Sequence, residues 1–298
     1  MRLWNKYIHA LNVEHALQIL ADAPGSARLI AGGTDLLLDI QQGRTPTVDT
    51  LIDISQIAEL QEISVTPDHV FIGSAVTFRD ILRSDLLRRH ALCLVEACGI
   101  IGGPQIRSVA TIGGNVASAL PAGDGIIALL ALDAEALIVS SQQRSWMSLE
   151  KLFVEPGTPS FDRSRELIKG FRFSPRNDRE GCAFTRVIRP QGISIAILNM
   201  AVWLRIDFHG TVEDIRIALG PAGPRPFRAR GTEKILRFSH PDDHMMIEAH
   251  NALLIEARLR TSMHRATKTY RQQIAGVLLR QTFRTASDRA KEDLTDFT

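Results

Sequence analysis

Two glycine pairs in matching settings constrain this chain more than any other feature: Ala31-Gly32-Gly33-Thr34-Asp35 and, about eighty residues on, Thr111-Ile112-Gly113-Gly114-Asn115. Each follows a short apolar run and offers consecutive backbone N–H groups with no Cβ in the way, which is what a phosphate requires of a protein loop. One pair alone says little. Two of them, the first opening a helix and the second followed closely by Asp124 and another helix, point to a pyrophosphate held from both sides.

The surrounding pattern sets these loops in a regular framework. Val13 to Leu20 has helical spacing with Asn12 as N-cap, and Pro24-Gly25 closes that element. Arg28-Leu29-Ile30-Ala31 reads as a strand running into Gly32-Gly33. Thr34 or Asp35 then caps a helix through Leu36 and Ile40 that stops at Gly43. Strand, glycine turn and helix together aim N–H groups at an anion. Val48 to Ile54 and Val70 to Gly73 read as strands, Thr77 heads a helix through Leu87, and Leu92 to Ile101 forms a further helix ended by Gly102, Gly103 and Pro104. Ile126 to Leu132 is helical.

Beyond a polar linker at Pro175 to Gly181, the segments Ala183 to Val187, Ile193 to Ile206 and Val212 to Leu219 read as an antiparallel meander, with Phe208-His209-Gly210 as a turn. After Pro221 to Pro226 the pattern is helical. Met246, Ala249, Leu253 and Ala257 share one face, and Tyr270, Ile274, Val277 and Leu278 share another.

Composition narrows the classes. The 298 residues, 45% hydrophobic, suffice for two domains, and a formal net charge of +2 gives no global reason for nucleic-acid binding. From Arg225 onward 14 Lys and Arg face 9 Asp and Glu, a bias that solvated faces of amphipathic helices explain. Cys93, Cys98 and Cys182 have no cluster or zinc spacing and read as structural sulfur in a reduced compartment. The N-terminal residues carry no apolar signal region, and the longest apolar stretch, Ile193 to Leu204, is broken by Ser194 and Asn199 and is too short to span a bilayer. A cytoplasmic location is expected.

Rival chemistries find little support. Gly123-Asp124-Gly125-Ile126-Ile127-Ala128 formally fits a dinucleotide fingerprint, but Pro121 interrupts the strand that should lead in, and no acid follows at the ribose position. No GxxxxGK[ST] or GxSxG is present. His240 and His244 have metal-pair spacing, yet Pro241 sets His240 at or before the helix start. No catalytic side-chain set and no metal site emerge, so a cofactor is expected to carry any chemistry.

Leu29-Ile30-Ala31-Gly32-Gly33-Thr34-Asp35-Leu36, then Ile101 through Asn115, then Asp124 before Leu129-Leu130-Ala131-Leu132-Asp133-Ala134, resemble the FAD-binding medium subunit of the molybdenum hydroxylases, the family of xanthine dehydrogenase and carbon monoxide dehydrogenase. The resemblance continues in Ala183-Phe184-Thr185-Arg186, in Ile217 through Arg228, and in Thr269-Tyr270-Arg271. It spans nearly the whole chain.

The resemblance implies an α+β fold: a two-lobed FAD-binding domain of the vanillyl-alcohol-oxidase (PCMH) type over residues 1–176, with lobes at about 1–57 and 58–176, then a C-terminal domain of three-stranded antiparallel sheet and helices over 177–287, and a flexible tail at 288–298. It implies that Leu29 to Leu36 and Thr111 to Asn115 enclose the FAD diphosphate through backbone N–H groups. Asp124 matches a position contacting the adenosine half, Ile101 an apolar position beside the isoalloxazine, and Ile168 and Thr185 later positions bordering the flavin. Each has a plainer reading too: core for Ile101 and Ile168, a strand residue for Thr185, an N-cap for Asp124. Ser194-Ile195-Ala196 departs from the Asp-Ile-Ala of many relatives, and no cysteine set for an additional iron-sulfur cluster is present.

The implied function is electron transfer. A large subunit would carry the molybdenum cofactor, a small subunit would carry 2Fe-2S clusters, and the FAD here would pass electrons to an acceptor such as NAD+ or oxygen. Two alternatives stand beside it: a stand-alone FAD-dependent oxidase or reductase, and a cofactor-free scaffold whose glycine loops are only tight turns.

Overall fold

The computed structural model describes residues 3–189, 195–263 and 265–295, with backbone alone for the last three. Ser194 therefore lies outside the described residues. The chain forms two compact units built from interleaved segments: residues 1–84, 102–119 and 134–174 make the first, and 85–101, 120–133 and 175–298 the second. Two segments expected within the second lobe, 85–101 and 120–133, thus group with the C-terminal half.

Beside a two-stranded ribbon of Phe153–Glu155 and Thr158–Pro159, the described residues of the first unit form two larger sheets. In a three-stranded parallel sheet, Val48–Asp53 lies between Trp4–His9 and Ala27–Ile30. Parallel strands need crossovers, and the helices Val13–Asp22 and Leu36–Gln41 supply them. The first of these is capped as expected, the Asn12 side chain accepting the His15 N–H, and it buries Val13, Ala16, Leu17 and Leu20 against Ile52, Ile54 and Leu60. The second sheet is antiparallel, in the order Ile63–Val65, Val70–Gly73, Leu167–Phe173, Glu135–Val139, Arg144–Ser148. The helix expected from Thr77 to Leu87 is two helices, Phe78–Arg83 and Asp85–His90, because Ser84 between them takes an extended backbone.

The second unit is built on an antiparallel sheet. Glu180–Ile188, Ala196–Ile206 and Val212–Gly220 form the expected meander, and the two-residue strand Phe227–Arg228 extends it at the edge. Strand alternation sorts the first strand's side chains. Gly181 and Ala183 face the long helix Lys268–Thr295, where a Cβ on Gly181 would stand 2.0 Å from the Ala286 carbonyl oxygen. Cys182 and Arg186 face the helices Leu92–Gly99 and Asp124–Ala131. The latter is apolar on every side apart from Asp124, and all eight of its residues are buried.

The long helix corrects two expectations. It continues through residues 288–295, which the sequence reading assigns to a tail. Its buried face is Ile274, Ala275, Leu278, Leu279, Thr282, Ala286 and Ala290, whereas Tyr270 and Val277 are exposed. Close approach of the strands selects small residues at this contact, and these carry little hydrophobic signal. All three cysteines are buried free thiols. Among the described residues, no helix is long and apolar enough to cross a membrane.

Candidate functional site

The first glycine loop has the shape of an anion cradle. Strand Ala27–Ile30 ends at Ala31, Gly33 takes a left-handed backbone at φ +67°, and helix Leu36–Gln41 begins after Asp35. Asp35 is the N-cap, but its side chain makes no capping bond. Among the described residues, no backbone N–H from Gly32 to Leu36 finds an acceptor in the chain. Five consecutive donors without protein acceptors are what an oxygen-rich ligand needs.

The second loop departs from expectation. Thr111 is the N-cap of the helix Ile112–Ala117, its hydroxyl oxygen accepting the Gly114 N–H at 3.1 Å. The Ile112, Gly113 and Asn115 N–H groups donate to the carbonyls of Val76, Ser74 and Thr111. All four N–H groups of residues 112–115 are therefore committed within the chain, and this loop does not offer the free backbone donors assigned to it. It offers close packing: a Cβ on Gly113 would stand 2.5 Å from both the Cβ and the carbonyl oxygen of Ser74.

The fold brings the two loops together within the first unit. A Cβ on Gly32 would stand 2.0 Å from the Val109 carbonyl oxygen and 2.9 Å from the Ala110 Cα, so the first loop rests on the residues that lead into the second. Ser74, which sequence reasoning missed, joins them to a third predicted position. Its N–H donates to the Lys169 carbonyl and its carbonyl accepts from Gly113, tying the glycine helix to the strand that carries Ile168. Ile168 is buried and paired with Ile138. The Ser74 hydroxyl and the Asn115 side-chain carbonyl oxygen are buried with no partner among the described residues. Leaving such a group unpaired costs about 1–3 kcal/mol, which a bound polar ligand relieves. Free donors, orphaned polar groups and a cradle that a Cβ would fill together fit a dinucleotide.

The remaining predicted residues, Ile101, Asp124 and Thr185, lie in the second unit. Ile101 is half-buried and follows the C-terminal end of Leu92–Gly99. Asp124 opens its helix from a turn, with no strand leading in, so the formal dinucleotide fingerprint at Gly123 has the wrong context.

The Asp124 carboxylate is buried, and both oxygens are engaged: Oδ2 accepts from Arg186 Nη1 at 2.6 Å, and Oδ1 accepts from the Asn199 amide at 2.6 Å. Burial pushes its pKa up while the Arg186 charge and the two hydrogen bonds pull it down, leaving it raised. Each oxygen keeps lone-pair capacity for a ribose hydroxyl. By strand alternation, Thr185 belongs to the face opposite Arg186, toward the long helix, so its backbone rather than its side chain is what this strand brings toward the Asp124 side.

Arg186 and Asn199 were not singled out from sequence as partners of Asp124. They are register partners across adjacent antiparallel strands, and Asn199 is in turn the register partner of Gly220. At Gly220 a Cβ would stand 2.4 Å from the Pro121 carbonyl oxygen. One row across three strands thus seats the segment leading into Asp124. The second missed feature explains the Pro-Phe-Arg motif: Arg228 is buried and bonds Glu233 through Nε and Nη2, both at 2.9 Å, while the same carboxylate accepts the Ile217 N–H.

Comparison with known proteins gives the family. Residues 3–174 match the family described as the FAD binding domain in molybdopterin dehydrogenase, and residues 183–286 match the CO dehydrogenase flavoprotein C-terminal domain. The xanthine dehydrogenase FAD-binding subunit of Escherichia coli O157:H7 is 30% identical over 89% of this chain and 90% of its own. Subunit alpha of the 6-hydroxypseudooxynicotine dehydrogenase complex of Paenarthrobacter nicotinovorans is 30% identical over 96% and 95%. A solved carbon monoxide dehydrogenase chain from Hydrogenophaga pseudoflava superposes with a TM-score of 0.89 at 25% identity, covering 95% of this chain and 97% of that one. The chain belongs to the FAD-binding subunits of the molybdenum hydroxylases, the family of xanthine and carbon monoxide dehydrogenases, and is an oxidoreductase subunit whose cofactor is FAD.

Proposed function

We propose that this chain is the electron-transfer subunit of a cytoplasmic molybdenum hydroxylase, working with a large subunit that carries the molybdenum cofactor and a small subunit that carries 2Fe-2S clusters. FAD, when bound, supplies the ability to gather electrons singly and release them in pairs, to an acceptor such as NAD+ or oxygen. The observation that carries the reading is the run of unused N–H donors from Gly32 to Leu36, set against the lead-in to the second glycine loop.

In this reading Leu29 to Leu36 hold the diphosphate with neutral, rigid donors. Thr111, Ile112, Gly113, Gly114 and Asn115 form the adjoining wall, Asn115 and Ser74 contributing their unpaired polar atoms. Asp124 accepts from ribose hydroxyls, and Ile101, Ile168 and Thr185 border the ring system, the apolar ones by excluding water. The division near residue 176 into FAD-binding and C-terminal domains is supported by family matches that end at 174 and begin at 183. The partner assignment is supported by relatives described as subunits of complexes.

The test is direct. Cofactor released from purified protein is identified, and the apoprotein is titrated with FAD. Stoichiometric FAD is expected, with substrate turnover only in the presence of co-purifying subunits. Colourless protein that takes up no FAD overturns the FAD-site assignments, and yellow protein that turns over substrate alone overturns the electron-transfer role in favour of a self-contained flavin enzyme.

A further inference from the structure

We propose that Arg186 is a positioning residue of the flavin site, a guanidinium that locks the start of the Asp124 helix to the turn at Ile100-Ile101. The inference rests on the reading of Asp124 and Ile101 as flavin positions and goes beyond it by naming the group that sets their spacing. Arg186 Nη1 donates to the Asp124 carboxylate and Nη2 to the Ile100 carbonyl, each at 2.6 Å. The two side chains of the ion pair are only 5% and 7% exposed.

Electrostatics explain why the linker is an arginine. Ile100 is the C-cap of Leu92–Gly99, whose end carries partial negative charge, and Asp124 adds a full negative charge close by. A cation between them satisfies both. Only a planar fork bonds two acceptors on different elements at once, and a lysine ammonium lacks that preset geometry.

The fork's root is itself fixed. Arg186 stands opposite Asn199 in the strand register, and Asn199 bonds the other Asp124 oxygen and the Ala122 carbonyl. Asp124 is thereby gripped from two adjacent strands and cannot swivel, which presets its oxygens for a ligand. A buried ion pair is a weak contributor to stability compared with apolar packing. Placement of a ligand-facing carboxylate is a role that apolar packing does not fill.

The experiment compares FAD affinity, read from quenching of flavin fluorescence on titration of full-length apoprotein, for wild type, R186K, R186Q, D124N and the double variant R186Q/D124N, with folding followed by circular dichroism. R186Q and D124N are each expected to weaken affinity by about tenfold or more, the loss of a charge-assisted hydrogen bond. The double variant is expected to lose less than the sum of the two single losses, because the Arg186–Asp124 bond is common to both, and R186K recovers part of the loss. A pH profile adds a readout that a purely structural role does not move: without the guanidinium, the burial that raises the Asp124 pKa is opposed only by the Asn199 hydrogen bond, so the affinity of R186Q is expected to fall on acidification at a higher pH than that of wild type.

Folded R186Q that binds FAD within twofold of wild type overturns the proposal, as do additive losses in the double variant. If R186Q does not fold, R186K decides: weakened FAD binding at an unchanged melting temperature supports the role, and wild-type affinity overturns it. Wild-type protein that takes up no FAD is a different result, overturning the site reading itself.

Discussion

Gly32 lies against the carbonyl of Val109 so closely that a Cβ at position 32 would stand 2.0 Å from its oxygen. The obstacle is backbone, which cannot rotate aside as a side chain can. Gly32→Ala therefore forces the first glycine loop off the lead-in to the second and misaligns the free N–H donors. FAD affinity is expected to fall by about tenfold or more, the equivalent of one or two hydrogen bonds. Gly43→Ala is the control. Gly43 has a positive φ, +70°, and nothing lies within 4 Å of its Cβ position, so the substitution costs about 1–2 kcal/mol of backbone strain and leaves FAD affinity unchanged.

Ser74→Ala separates a ligand role from a packing role by the sign of two effects. The hydroxyl is buried and unpaired among the described residues, so its removal leaves the apoprotein as stable as before or up to about 1 kcal/mol more so. FAD binding weakens if the cofactor supplies the missing partner. Melting of the apoprotein and FAD titration are measured together. A fall in both would assign Ser74 to packing alone.

The pair Arg228 and Glu233 predicts a stability asymmetry. Arg228→Met leaves the Glu233 carboxylate buried without its cation, expected to destabilise the second unit by about 3–5 kcal/mol in urea unfolding. Replacing both, as R228M/E233L, recovers much of that loss. It does not recover all of it, because the Ile217 N–H loses the acceptor it has in Glu233.

Asp49 is expected to make the stability of the first unit depend on acid. The Ser26 N–H and hydroxyl and the Asn5 amide, all bonded to its carboxylate, hold its pKa below the ordinary 3.8. A carboxyl depressed on folding contributes stability that is complete above its unfolded pKa and fades as pH falls through the lower folded value. Asp49→Asn is therefore expected to lower the melting temperature at pH 7, with the difference shrinking as the pH falls below the ordinary carboxylate range, in melting scans across pH.

Much of this molecule was legible in order along the chain, because it is written in local chemistry. The helix capped by Asn12, the glycine turn at Gly32-Gly33, the helix after Gly123 and the strands of the central meander each depend on residues within a few positions of one another. The family likeness, spread over motifs in the right order, extended that reading to the cofactor. Local pattern failed where contact selects against size rather than for hydrophobicity. Ala275, Ala286 and Ala290 face the sheet, while the larger Tyr270 and Val277 stay in solvent.

Sequence alone also marked Asp124 and both glycine pairs, yet it could not assign their partners. Arg186 and Asn199 lie 62 and 75 positions beyond Asp124, and only the register of two antiparallel strands turns both toward one carboxylate. Likewise, nothing local distinguishes the unused N–H groups after Gly32 from the committed ones after Ile112. That difference is made by Ser74 and Val76, whose carbonyls the fold delivers to the second loop and not to the first. Glycine made close approach possible at both places, and long-range hydrogen bonding decided which of them keeps its donors free.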